Sequence, residues 1–376
     1  MGKLSSLGHN LYEGHISFDF VGRRKLWYAI SGLIVLFALS GLLVRGLNMG
    51  IEFKGGVEFT AKISATQSNV TKMIDATSGV GIPNAADPTA FTSGTDAVVV
   101  TTKPLTQTEA NKVEHALTAA GATEISQNSI GPSWGKEVAN KAETGLIVFL
   151  ILVVLFIWAY FREWKMSVAA IVALAHDLII TVGVYAWSGF EVTPATVTGL
   201  LTILGYSLYD TVVVFDKVRE NTRNFATNLT RTYKESANLA VNQTLVRSIN
   251  TSITAIIPVA AILVVSVIVL GTGPLKDLSL ALLVGMAAGT YSSIFIATPL
   301  ASQLKEAEDA VSAHTKRVLN KRARQPTTAG EVPVVSDGLV VTPSGAAAAP
   351  TVRKVAASRQ AGRVQPKRPP RSRRKK

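Results

Sequence analysis

The sequence predicts an α-helical polytopic membrane protein of six transmembrane helices that carries one small extracytoplasmic α+β domain. Three observations predict it. Of 376 residues, 48% are Ala, Val, Ile, Leu, Met, Phe, Trp, Tyr or Cys and only 17% are charged, with a mean hydropathy of +0.30. The apolar residues come in six blocks, each near the ~20 residues that an α-helix needs to cross a ~30 Å hydrocarbon core. A single long polar interval, residues 45–142, separates the first block from the other five and has the size of a small domain.

Residues 1–25 are polar and end in Arg23, Arg24 and Lys25, directly before the apolar run Leu26 to Val44. A basic cluster before an apolar run also describes a secretory signal peptide. This run is about 19 residues long, has no small-x-small cleavage site, and is followed by five further spans, so it reads as an uncleaved first helix with its N-terminus in the cytoplasm.

In the polar interval, Val57 to Ser64 alternates as a strand does, Gln67 to Ser78 reads as a helix and Ala97 to Thr102 as a strand. Thr106 to Ala120 is a helix with Ala110, Val113 and Leu117 on one face, and Thr123 to Ile130 is a strand. The order β-α-β-α-β in so short a segment predicts a ferredoxin-like α+β domain, with two helices on one face of a sheet. No His/Asp/Glu cluster or Ser/His pairing looks catalytic, and His115, alone on its helix, reads as a surface residue.

Two glycine-rich motifs bracket the domain: Gly50 to Gly56, GIEFKGG, and Gly131 to Glu137, GPSWGKE. Gly50, Gly55 and Gly56, then Gly131, Pro132 and Gly135, stand where a span meets the folded domain, with Glu52 inside the first motif. Glycine admits backbone conformations that other residues avoid, so both motifs read as hinges. Neither has the spacing of a phosphate-binding loop.

The remaining spans are Thr144 to Phe161, Met166 to Trp187, Pro194 to Asp216, Thr251 to Leu270 and Leu278 to Leu300. Arg162 and Lys165 flank the turn after span two, and Lys217, Arg219, Arg223, Arg231, Lys234 and Arg247 flank the exit of span four. Lys305 follows span six, whereas residues 188–193 carry no Lys or Arg and residues 271–277 only Lys276. The positive-inside rule then puts both termini in the cytoplasm and the domain outside. Between spans four and five, Phe225, Leu229, Tyr233, Ala237 and Val241 recur every four residues and predict a cytoplasmic amphipathic helix at about 222–242.

The net charge of +13 resides in the C-terminal tail. From Lys316 onward there are 16 Lys and Arg against Glu331 and Asp337, so the first 315 residues are close to neutral. Residues 306–376 read as a basic cytoplasmic tail, disordered beyond about residue 325. Attraction to anionic lipid headgroups is the plain expectation for it, and a ribosome or nucleic-acid contact the less favoured alternative. With no Cys in the chain, disulfides, thiolate metal sites and cysteine nucleophiles are excluded. No metal or cofactor is expected, and no enzymatic activity.

Polar groups inside the spans are the candidates for chemistry. Asp210 lies in span four, roughly 9 Å from its cytoplasmic end. An ionised Asp at a helix centre costs about 2.5–3.5 kcal/mol on insertion scales, so such a group is turned inward and made protonatable or paired; an ion or proton path is the default reading, and a neutral packing residue the alternative. His176 and Asp177 stand near the middle of span three. A proton relay and a structural interhelical hydrogen bond both suit them. Arg247 stands before the apolar part of span five, either within reach of Asp210 or as an interfacial anchor. In span six, Gly285-x-x-x-Gly289 with Thr290, Ser292 and Ser293 reads as a close-packing face.

GIEFKGG, GPSWGKE, the span-four segment GYSLYDTVVVFDKVREN, the SINTS start of span five and GTYSSIFIATPLA in span six, over residues of about 18–305, closely resemble the SecD/SecF family of bacterial protein-export membrane proteins. Glu52 departs from the Asp more usual in the first motif. The resemblance implies an RND-type half of six helices, the SecF side of the family, whose other half is SecD. It also implies docking with the SecYEG channel, often with YajC, and use of the proton-motive force to complete the passage of unfolded secretory proteins after the SecA step. Through it, Asp210 matches the family's transport-linked aspartate and Arg247 its arginine near the start of span five. Two other readings stay open: a passive scaffold for a channel, and an RND-type exporter of small molecules or lipids.

Overall fold

The computed structural model describes residues 17–270 and 273–324. Six of its helices are long and apolar enough to cross a membrane. The first is α1 (Arg24–Val44). The polar interval follows, and α5 (Pro132–Phe161), α6 (Trp164–Ser188), α7 (Pro194–Thr222) and α8 (Tyr233–Val265, continued by a π-helical turn, Ser266–Leu270) come next. The sixth span is composite: α9 (Pro274–Ser292), a π-helical segment (Ser293–Ala297) and α10 (Thr298–Glu306). A last helix, α11, runs over Asp309–Arg324.

The helix starts are written in the sequence. Pro132, Pro194 and Pro274 open α5, α7 and α9, where a missing N–H costs no intrahelical bond. Thr193 and Thr232 cap α7 and α8, each accepting from the third helical N–H while that residue's side chain returns the bond. In the core, small residues let backbones approach. A Cβ at Gly285 would stand 2.3 Å from Ile203 Cδ1 and one at Gly289 2.8 Å from Ser207 Cβ, so the expected close-packing face is present.

The polar interval holds β1 (Asn48–Met49), α2 (Ile51–Lys54), β2 (Gly56–Lys62), α3 (Gln67–Ser78), β3 (Thr89–Ser93), β4 (Ala97–Thr102), α4 (Gln107–Ala119) and β5 (Ile125–Ile130). Its sheet has the order β3-β4-β2-β5, all antiparallel. From β2 onward the chain order is β-α-β-β-α-β, one strand more than the β-α-β-α-β expected from the sequence. That strand, β3, is a half-exposed edge of sequence TAFTS with little apolar alternation to announce it. Val57, Phe59, Val98 and Val100 from the sheet meet Val70 and Met73 of α3 and Val113 and Leu117 of α4 in a closed core.

Three expectations are corrected. No separate amphipathic helix occupies 222–242. Residues Arg223 to Arg231 form turns and bends, and α8 starts at the Thr232–Glu235 capping box and runs unbroken into the fifth span. Of the predicted stripe, Tyr233, Ala237 and Val241 are buried at the start of α8, and Phe225 packs edge-on against Tyr233 and His314. The helix after the second glycine motif begins at Pro132, so GPSWGKE is the first turn of α5. The tail begins folded: α11 buries Val311, His314 and Val318, His314 Nε2 lies 3.0 Å from the Asn228 carbonyl, and Arg322 holds Glu235 at 2.7 Å. The predicted disorder beyond 325 lies outside the described residues.

The domain docks on one end of the bundle. β1 pairs in parallel with β6 (Glu191–Val192) in the α6–α7 loop, joining the exits of α1 and α6. Lys276 of α9 stands over the rings of Phe91 on β3 and Phe190, 5.5 and 4.7 Å from their centroids. The opposite end is closed by ion pairs, Arg24–Glu306 at 3.1 Å, Lys165–Glu308 at 3.0 Å, and Lys305 with Glu163.

Candidate functional site

Two carboxylates are buried in the middle of the bundle, and hydroxyls from neighbouring helices serve both. Asp177 on α6 is fully buried; its Oδ2 accepts from Ser207 Oγ of α7 at 2.5 Å and from Ser292 Oγ of α9 at 2.9 Å. Asp210 on α7 accepts from Ser248 Oγ of α8 at 2.7 Å on Oδ1, and from Ser293 Oγ of the π segment at 2.5 Å on Oδ2. Successive residues on a helix project about 100° apart, so adjacent Ser292 and Ser293 reach two different acids. The sixth span thus links the two carboxylates through neighbouring residues.

His176 extends the network. Its Nδ1 lies 3.5 Å from Asp177 Oδ1 and its ring stacks on Tyr291, whose hydroxyl is 2.9 Å from Ser31 Oγ of α1. Among the described residues, His176 Nε2 is buried without a hydrogen-bond partner. A second string of hydroxyls runs from Tyr206 through Ser252 to Thr290.

Of the two placements the sequence leaves open for Arg247, the pairing with Asp210 is absent among the described residues. Arg247 lies on the exposed face of α8 and donates from Nη2 to Tyr209 Oη at 3.0 Å. The cause is a one-residue offset on both helices: Asp210 and Ser248 face the α7–α8 seam, while Tyr209 and Arg247, each one residue earlier, face outward together. The partners of Asp210 among the described residues are both hydroxyls, which can donate to a carboxylate and also accept from a carboxylic acid. Such a site holds either protonation state without rebuilding, and a guanidinium would not.

The glycine motifs also meet. Gly55 has φ 73°, a conformation suited to glycine, and a Cβ on Gly135 would stand 2.7 Å from the Gly55 nitrogen and 3.2 Å from the Phe53 carbonyl. The two motifs form a crossing of backbone on backbone between α2 and the first turn of α5. Pro132 seals it, its Cα 2.8 Å from where a Gly55 side chain would begin, and Gly131 caps α5. Glu52 folds back over Gly50, its Oε2 2.5 Å from where a Gly50 side chain would begin, and Gly50 N–H donates to Val192 O at 3.0 Å.

This junction gathers acids. Burial pushes the Glu191 carboxyl up to about 7, helped by the charges of Glu58, Asp277 and Glu52 and opposed by Lys276. The Glu58 carboxyl is raised by burial first and by the charges of Glu52 and Asp277 next.

The serines are what the sequence reading missed. Ser292 and Ser293 stood in it as packing residues, and Ser207 and Ser248 not at all. The available signal was the SINTS and TYSSIF runs, whose hydroxyls are dense for apolar helices.

Known proteins match this chain in sequence and fold. The family model described as protein export membrane protein SecD/SecF, C-terminal, matches residues 110–307, and that of the SecD/SecF GG motif matches residues 40–67. The chain belongs to the SecD/SecF family. It is 49% identical over 329 residues to the protein translocase subunit SecF of Streptomyces coelicolor, covering 86% of each chain. It is 43% identical over 350 residues to that of Mycobacterium tuberculosis, covering 89% of this chain and 78% of the relative. A crystal structure of SecDF from Thermus thermophilus, described as a translocon-associated membrane protein, aligns with TM-score 0.68 and 31% identity over 77% of this chain, which spans 39% of that one. Relatives named as translocase subunits support a role in Sec translocation for this membrane protein.

Proposed function

We propose that this chain is the six-helix half of a proton-coupled unit that, with a SecD-type half, uses the proton-motive force to complete the export of unfolded secretory proteins. The observation that carries the reading is Asp210: a carboxylate at mid-bundle held only by Ser248 and Ser293 among the described residues. A buried carboxylate without a counter-ion is the form that takes and releases a proton on a transport path. Asp177, with His176 and the shared Ser292–Ser293 pair, is the second station. Each proton crossing ~100 mV supplies about 2.3 kcal/mol, enough to bias a domain between two positions.

The reading places both termini in the cytoplasm and the α+β domain outside, since Arg23, Lys25, Arg162, Lys165, Arg219 and Lys305 gather at the bundle end away from the domain. The SecD-type half covers the outward face of α7 and α8. Thr198, Thr202 and Tyr209 on α7 and Arg247, Asn250 and Thr254 on α8 are exposed there, a polar stripe that lipid tails would solvate poorly. SecYEG, YajC and SecA enter through the family resemblance alone. No bond in the substrate is made or broken, so the proposal involves no enzyme chemistry.

The test is export of a secretory protein into membrane vesicles after ATP has been removed and a proton gradient imposed, with wild type and Asp210→Asn at equal membrane levels. Completion by the wild type and a stalled intermediate with the variant support the coupling. Equal completion by both makes the aspartate structural and the protein a scaffold.

A further inference from the structure

The sixth span departs from α-helical geometry at the two serines that serve the carboxylates. Ser293–Ala297 is π-helical, and Pro299 explains why the turn is wide: it has no N–H to give Phe295 O, and its ring crowds that carbonyl. A π turn inside an α-helix accommodates an extra residue and often marks a functional site. Thr298, fully buried, spans the turn, its Oγ1 donating to Ser293 O at 3.2 Å, five residues back. The other buried helix hydroxyls at Thr181, Thr222 and Thr244 reach carbonyls four residues back, the ordinary α-helical bond.

We propose that Thr298 is a positioning residue for the carboxylate network: by adding a hydroxyl bond to the Ser293 carbonyl across the π turn, it holds the register that delivers Ser292 to Asp177 and Ser293 to Asp210. Closing the turn into α-helix removes one residue's worth of rotation. One side then turns by about 100° and shifts by about 1.5 Å against the other, and the two serines no longer face both acids at once. Each serine already has a second acceptor in its own helix, Gly289 O for Ser292 and Thr290 O for Ser293, both at 3.2 Å. A serine released from its carboxylate is therefore not left unsatisfied. At the far end of the same helix, Asp277 accepts from Thr193, and Lys276 stands over Phe91 of the domain. A change of register at Ser293 is thereby connected through α9 to the surface on which the domain rests.

The inference rests on the proposed proton coupling at Asp210, so both are tested in one series. The titratable groups in the network are His176 and Asp177 of α6, Tyr206 and Asp210 of α7 and Tyr291 of α9, and the charged group next to it is Arg247 of α8, paired with Tyr209 on the outward face. Thr298 is none of these, so a purely structural loss at Thr298 scales export equally at every pH.

The experiment is proton-gradient-driven completion of export by the full complex in vesicles, measured from about pH 5.5 to about pH 8.5, for wild type, Thr298→Val, Thr298→Ser, Pro299→Ala and Asp210→Asn. Thr298→Val removes the hydroxyl at nearly constant shape. Pro299→Ala returns the N–H that lets the turn close, and as a helix-favouring change it keeps the inference testable if Thr298→Val does not reach the membrane. The expected result is a pH profile displaced by about one unit, roughly tenfold at the steepest point, in both Thr298→Val and Pro299→Ala, with Thr298→Ser on the wild-type curve. Profiles that keep the wild-type position on the pH axis in both variants overturn the inference, while loss of export in Asp210→Asn leaves the coupling intact. An Asp210→Asn variant that exports as the wild type does overturns the coupling and the inference with it.

Discussion

Replacing Glu191 by Gln tests the electrostatics of the domain–bundle junction. Glu191 sits in β6, paired with β1, and burial with the charges of Glu58, Asp277 and Glu52 moves its carboxyl from 4.5 to about 7. A carboxyl raised in the folded state binds its proton more tightly there than in the opened chain. Its contribution is therefore fully present below about pH 4.5 and is lost as pH rises through about 7. A difference of about 2.5 units corresponds to about 3 kcal/mol, reduced to roughly half because Glu191 is partly exposed and screened by solvent. Glu191→Gln stays neutral and keeps what the wild type loses. At about pH 8 the junction in the variant should be more stable by about 1.5 kcal/mol, roughly tenfold in its opening equilibrium, and at about pH 4.5 the two should match. Hydrogen exchange at the Gly50 amide, which donates to Val192 O, reads this opening in lipid nanodiscs once intrinsic exchange is normalised. Equal protection of wild type and variant at both pH values would mean that the Glu191 charge does not load this junction.

Other substitutions separate packing from charge. Gly135→Ala sets a methyl 2.7 Å from the Gly55 nitrogen, where only backbone can yield, and should lower stability by about 1–3 kcal/mol in thermal unfolding. Arg322→Ala removes an exposed ion pair with Glu235 and should cost no more than about 1 kcal/mol. His314→Ala, by contrast, empties a fully buried site against Phe225 and leaves the Asn228 carbonyl without its donor, at about 2–4 kcal/mol. Limited trypsin cleavage within α11 should accelerate for His314→Ala and stay near wild type for Arg322→Ala.

The spans were legible because an apolar block of bilayer length has few other uses, and the domain because its strand and helix periods differ. Strand β3 was not, since an edge strand such as Thr89–Ser93 buries too little to impose alternation. The start of α8 was written as Thr232-x-x-Glu235, but the four-residue stripe from Phe225 to Val241 suggested a separate helix that began about ten residues earlier. At the site, the sequence pointed to Asp210 and Asp177 because a carboxylate in an apolar run has few bland explanations. It could not point to their partners: Arg247 and Ser248 are neighbours, and which of them faces Asp210 depends on the rotation of α8, which hydropathy does not specify. Helix α11 was hidden by its charge, since only Val311, His314 and Val318 mark the face it buries.

Proton flux through the complex reconstituted into liposomes, with wild type compared against Asp210→Asn, separates proton coupling at Asp210 from a packing role. Coupling at Asp210 gives a flux driven by the membrane potential in the wild type and its loss in the variant, with the domain fold unchanged by circular dichroism. Undiminished flux in Asp210→Asn would contradict it.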